Sequence, residues 1–145
     1  MQDLPHHYHV SASAENEGTV TLIADNLPQI VTAPPAEFGG PGDQWSPETL
    51  LVGAIADCFI LTFRAIARAS KLEWVNLECA AEGVLDRVER VTRFTEVTVR
   101  ATLTVPADTD VDKATRLLEK SEEVCLVTQS MTATTHLEAQ VVTQG

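Results

Sequence analysis

Three cysteines, Cys58, Cys79 and Cys125, are the residues in this chain best equipped for covalent chemistry. Their spacing is too wide for a disulfide scaffold or a zinc site, so in a reducing compartment they are buried thiols or redox groups. Cys79 falls on the apolar face of an alternating stretch and reads as packing. Cys58 lies inside an apolar helix, where a free cysteine often serves only as a small hydrophobe. Cys125 follows a helix end and precedes a threonine-containing segment, a setting expected to be half-exposed. If Cys58 and Cys125 work as a pair, the chemistry is specific. A thiolate attacks the O–O bond of a peroxide and becomes a sulfenic acid, which a second cysteine converts to a disulfide before further oxidation. Their Cα atoms would then have to lie within roughly 7 Å, and residues so far apart in sequence meet only through tertiary folding.

The attacking sulfur also needs help to ionise. A free cysteine titrates near ~8.5, and a cation or positive dipole must bring that value down. Arg64 and Arg68 share a helix with Cys58 but, six and ten residues on, not its face. Glu48 alone would disfavour a second negative charge, so an arginine bridging carboxylate and thiolate is the expectation. No lysine or arginine precedes Arg64, and the sequence does not identify the cation.

The element that must hold Cys58 begins at Ser46-Pro47-Glu48. Ser46 can cap, Pro47 suits the first helical position and Glu48 suits the positive end of the dipole. The Gly39-Gly40-Pro41-Gly42-Asp43 segment ahead of it breaks the chain, so residues 33–44 form a loop. The helix runs to about Ser70 and is apolar on every side, which predicts burial on all sides in a core or a subunit interface. Before it, alternation over residues 8–14 and 19–24 around Glu15-Asn16-Glu17-Gly18 predicts a hairpin, with a short third strand over 29–32. His6, His7 and His9 lack a neighbouring carboxylate or thiol at ligand spacing and read as a mobile or strand-entry segment. After the helix, residues 73–87 and 94–105 alternate around a turn near 89–93. They predict a second antiparallel pair, with Val75, Leu77, Cys79 and Ala81 inward and Trp74 and Asn76 outward. Asp110 caps a helix to about Val124, with Val111, Ala114, Leu117, Leu118 and Ser121 inside. A last strand covers 132–142. No repeat or linker divides the chain, so a single domain over 1–145 is expected. The order is βββ–α–ββ–α–β, an α+β fold with antiparallel sheets around a long central helix. One long apolar helix in so small a domain predicts a homodimer.

Composition narrows the functions. At 44% hydrophobic and 21% charged residues the chain reads as globular. A net charge of −11 argues against nucleic acid and anionic membrane as partners. The first six residues lack the basic and apolar regions of a signal peptide. No apolar run is expected to approach the roughly 18 residues of a membrane span, and Asp57, Arg64 and Arg68 interrupt the long helix. A cytoplasmic protein is the expectation.

The Gly39-Gly40 to Ser46-Pro47-Glu48-Thr49-Leu50-Leu51 stretch, with Ala54, Ala56 and Cys58-Phe59 after it, resembles the first active-site segment of the OsmC-like/Ohr family of osmotically induced and organic-hydroperoxide-resistance proteins. Cys125-Leu126-Val127-Thr128 resembles the second, which usually reads Cys-Pro-apolar-Ser/Thr; Leu126 stands where the proline would be. The element order fits over nearly the whole chain. The resemblance implies an OsmC-like fold in an intertwined homodimer with two sites shared between subunits. It implies thiol-dependent reduction of organic hydroperoxides, with Cys58 peroxidatic, Cys125 resolving and Glu48 holding an arginine. No arginine precedes the helix, and a later one such as Arg87, Arg90, Arg93 or Arg100 could substitute from across the dimer. It implies no bound cofactor and no metal: an external dithiol or lipoyl-type reductant restores the pair. Two other readings stay open on the same scaffold, a binding protein for a small hydrophobic ligand and a redox sensor.

Overall fold

The computed structural model describes residues 1–145, which form two compact units, 1–51 and 52–145. In the first, β1 (Ser11–Ser13), β2 (Val20–Ile23) and β3 (Ile30–Thr32) make an antiparallel meander. The predicted hairpin and third strand are present, though shorter than the alternation suggested. Gly18 takes φ 96° in the first turn, a conformation open to glycine at no steric cost. The loop that follows is built rather than loose. Phe38 and Gly40 both donate their N–H to the Pro35 carbonyl, at 2.9 and 3.0 Å, and Ala33 N–H reaches the Trp45 carbonyl at 2.9 Å.

Helix α1 (Pro47–Ala69) starts in this unit. Its start is fixed by a reciprocal cap: Thr49 N–H donates to Ser46 Oγ at 3.1 Å, and Ser46 N–H donates to Thr49 Oγ1 at 2.8 Å. Thr49 plays the part that glutamate or glutamine takes in the usual capping box. Ser46 is buried, so a lost cap would strand a donor away from water.

The second unit holds the rest of α1 and a three-stranded sheet. Strands β4 (Asn76–Val88) and β5 (Val91–Val105) pair antiparallel along their full length. The two residues joining them, Glu89 and Arg90, have φ 51° and 70°, as a two-residue hairpin turn requires. Helix α2 (Val111–Val124) is capped by Asp110, whose side chain accepts from Lys113 N–H at 3.1 Å. A four-residue helix α3 (Leu126–Gln129) follows Cys125 directly, and β6 (Thr134–Thr143) returns to pair with β5. That last pairing is parallel, because α2 and α3 carry the chain back across the sheet as a crossover. The class is α+β, with one mixed sheet where antiparallel pairing alone was expected.

Val97, Val99, Ala101, Leu103 and Val105 of β5 all point to one face, where they pack with Ile55, Phe59, Phe63 and Ala67 of α1 and Ala114 and Leu118 of α2. Two expectations need correction here. The buried α1 residues form a single stripe at four-residue spacing, and within one chain the helix is not buried all round: Leu61 is 51% exposed. Trp74, expected outward, instead packs its ring edge-on to Phe63 at 5.5 Å, and Val75 is exposed. The reason is that β4 starts only at Asn76, so alternation does not govern the residues before it. A third correction concerns membranes. Within α1 an 18-residue stretch with no more than two charged residues is long and apolar enough to span one by length and composition. Its buried stripe has the pattern of a core helix lying on a sheet.

Candidate functional site

Cys58 sits midway along α1 on the helix side away from Phe59, on the wall of an open apolar cleft of about 630 Å³. Ala54, Leu61, Thr62 and Ile66 line it from α1, and Val124, Leu126 and Val127 line it from the α2–α3 junction. Cys125 is the hinge of that junction, the last cap of α2 and the first of α3, in an extended conformation (φ −61°, ψ 113°). It is 2% exposed, so the half-exposed setting read from the sequence is corrected. Its neighbours in the chain are in the open, but its own side chain turns inward under the end of α2.

The fold brings these two sulfurs together. Their side chains are near enough for each to shift the ionisation of the other. Burial pushes the Cys58 thiol up, but its hydrogen-bond donors outweigh that: the Val127 N–H, the Cys125 thiol, the Thr62 hydroxyl at 3.7 Å and the Leu126 N–H together hold it below its ordinary value. Cys125 moves the other way. Burial raises it first, and its bond to Cys58 and the Cys58 charge add to this against donors from Thr128. Two thiols in contact therefore titrate apart, one favoured as the anion and its neighbour as the proton donor. Environments that split a pair in this way assign different roles to its members.

The expected arginine is not among the groups acting on Cys58, which are all neutral donors. No lysine or arginine of this chain lines the cleft that Cys58 faces. Arg64 and Arg68 are exposed on α1, and Arg100 is paired with Glu138 at 2.7 Å. Nothing in residue types alone could have pointed to residues 126 and 127, because their contribution is main chain.

Glu48 occupies the first turn of α1, ten residues before Cys58, a rise of about 15 Å along a helix. It is not brought to the sulfur pair. Its Oε1 is buried without a hydrogen-bond partner, on the wall of a separate cavity of about 420 Å³ with Val20, Leu22, Ala33, Pro35 and Phe38. Cys79 lies on β4, packed against the core, and is pushed up to about 11 by burial and then by the charge of Cys125. His6, His7 and His9 are exposed ahead of β1. No three His, Cys, Asp or Glu side chains come together as a metal-holding group.

The chain is similar to known proteins over most of its length. The family model for OsmC-like proteins matches residues 40–140. The chain is 26% identical over 140 residues to YmaD, an uncharacterized protein of Bacillus subtilis, covering 93% of each. Among solved structures, an OsmC-like protein of unknown function from Vibrio cholerae superposes with a TM-score of 0.85 at 15% identity, over 93% of this chain and 99% of that one. An organic hydroperoxide resistance protein OsmC from Legionella pneumophila gives 0.75 at 23% identity, over 97% and 99%. One from Elizabethkingia anophelis gives 0.75 at 19%, over 97% and 100%. With its fold shared over nearly its full length and the family model spanning both cysteine segments, this chain belongs to the OsmC-like family.

Proposed function

We propose that the protein is a cysteine-based peroxidase that reduces organic hydroperoxides through Cys58 and Cys125. One observation carries the reading: Cys58 opens onto an apolar cleft walled on the other side by Val124, Leu126 and Val127, the residues that flank Cys125. The Cys58 thiolate attacks the distal oxygen of R–O–O–H. The S–O bond forms as the O–O bond breaks, and the leaving alkoxide takes a proton from water to give the alcohol. Cys125 then attacks the sulfenic sulfur, forming the disulfide and releasing water. An external dithiol reduces that disulfide and leaves as its own disulfide. Leu61, Ile66 and Val127 favour an alkyl substituent over the bare hydroxyl of hydrogen peroxide.

The exposed apolar side of α1 supports a homodimer built on that helix, in which Glu48 can take a guanidinium from the second subunit. The catalytic test is consumption of cumene hydroperoxide with dithiothreitol by wild type and Cys58→Ser. Wild type should turn over and the variant should not; wild-type consumption no faster than the protein-free control refutes the proposal. The roomy, largely apolar cleft around Cys58 also supports a second reading, a carrier of small hydrophobic ligands. Mass spectrometry after one equivalent of peroxide separates them. A 58–125 disulfide supports the peroxidase and unchanged thiols the carrier.

A further inference from the structure

We propose that Asp57 makes the Cys58 cleft a charge filter, which admits molecules with a neutral apolar body and disfavours those carrying a carboxylate close to the reacting group. For the substrate this means neutral alkyl or aryl hydroperoxides over carboxylated ones; that part rests on the peroxidase reading, whereas the filter rests on the cleft alone. Asp57 immediately precedes Cys58 on α1, and the two line the same wall. It is the only charged side chain there. Neighbouring residues of a helix are ~1.5 Å apart along its axis, so a small molecule touching the Cys58 sulfur lies wholly within roughly 10 Å of the Asp57 carboxylate. The other polar side chains of the wall, Cys58 and Thr62, are bonded to each other at 3.7 Å. All the rest is alanine, leucine, isoleucine and valine.

No cation offsets this carboxylate. Asp57 is exposed and belongs to none of the ion pairs of the chain. Arg64, the first cation after it on α1, stands two turns further along, a rise of about 10 Å, and does not line the cleft. Across the cleft, Glu122 and Glu123 near the end of α2 face two other cavities and carry the same sign. A carboxylate reaching Cys58 therefore meets a like charge at about one screening length in dilute salt. Roughly 8 Å apart, such a pair lowers an encounter by about three- to tenfold. A neutral apolar body meets no such opposition.

The experiment compares wild type, Asp57→Asn and Glu78→Gln. Glu78 is exposed on β4, beside the inward Leu77, and so points to the face of the sheet away from the core. Removing its charge matches the change in net charge, and hence in the overall field, without touching the cleft. The Cys58 thiolate displaces iodide from neutral iodoacetamide and from anionic iodoacetate. The ratio of those two rates, read on the Cys58 peptide by mass spectrometry, cancels any change in the thiolate itself. Asp57→Asn should raise the iodoacetate-to-iodoacetamide ratio about three- to tenfold at low salt, and Glu78→Gln should leave it near that of wild type. In ~1 M potassium chloride, where the screening length is about 3 Å, all three proteins should converge. In turnover, kcat/KM for ring-carboxylated cumene hydroperoxide relative to its methyl ester should rise by the same factor in Asp57→Asn. An Asp57→Asn alkylation ratio equal to that of wild type, or matched by Glu78→Gln, overturns the proposal. Should the asparagine variant lose its fold by circular dichroism, Asp57→Ala removes the same charge and the same outcomes apply. A raised alkylation ratio in a protein that consumes no peroxide would leave the filter standing and remove the peroxidase; an unchanged ratio in an active enzyme would do the reverse.

Discussion

Replacing Cys79 by alanine separates a bystander thiol from the reacting pair, and the structure sets the size of the effect. Folded, Cys79 titrates at about 11; in the unfolded chain it returns to its ordinary 9.0. Below 9.0 both states hold the proton, and Cys79 adds no pH dependence. Between the two values the unfolded chain has released its proton while the folded one has not, so the folded state loses stability as pH rises. The whole passage amounts to about 2.7 kcal/mol at 1.36 kcal/mol per unit, an upper figure for a side chain that is only half-buried. Near pH 10 about half of it, 1.4 kcal/mol, has been lost. Cys79→Ala removes that slope. Near neutral pH the variant should be less stable by about 1 kcal/mol for the lost sulfur packing. Near pH 10 the deficit should vanish or reverse. The assay is urea unfolding by tryptophan fluorescence at both pH values and one fixed protein concentration, where titrating groups that do not act on Cys79 cancel in the double difference. Equal deficits at the two pH values refute the burial argument for Cys79. Loss of peroxide turnover on the scale of Cys58→Ser would move Cys79 into the chemistry.

Three further outcomes follow from the fold. Leu61→Asp should convert a dimer to a monomer in light scattering, because a two-fold interface on α1 loses about 2 kcal/mol twice and must desolvate two carboxylates; a wild-type monomer removes this prediction. Gly40→Ala should lower the melting temperature by about 5 °C or more, since a Cβ there would sit 1.7 Å from the Pro34 carbonyl oxygen; an unchanged melting curve would show that the loop before α1 yields freely. Asp110→Ala should cost about 1 kcal/mol by removing the cap of α2, a shift of about 2–4 °C in thermal melting, and Asp110→Asn should restore most of it.

Much of the fold was legible because its elements announce themselves locally. Ser46-Pro47 marks the start of α1 by capping and ring geometry, and the alternation of β5 sends Val97 through Val105 to one face with no exception. The errors fall where a local pattern has no authority. Trp74 precedes the ladder of β4, so the period of two does not apply to it. The parallel pairing of β6 depends on where α2 returns the chain, which no property of residues 134–143 records. The apolar circumference of α1 says only that every side avoids water. Within one chain the sheet covers a stripe through Phe59 and Phe63, and the remainder still requires a second surface.

The candidate site divides in the same way. Cys58 and Cys125 could be singled out as residue types with suitable chemistry, and their meeting follows from the crossing of α1 by the α2–α3 hinge. What activates one of them was not legible, because reading charges from a sequence finds side chains and the donors here include the backbone. A main-chain N–H is present at every residue except proline and becomes a recognition element only where secondary structure leaves it without an acceptor. Each neutral donor is weaker than a guanidinium but needs no counter-charge in an apolar cleft, and one fixed by the backbone loses no side-chain entropy on bonding. The absence of lysine and arginine before Arg64 is therefore compatible with an ionised Cys58.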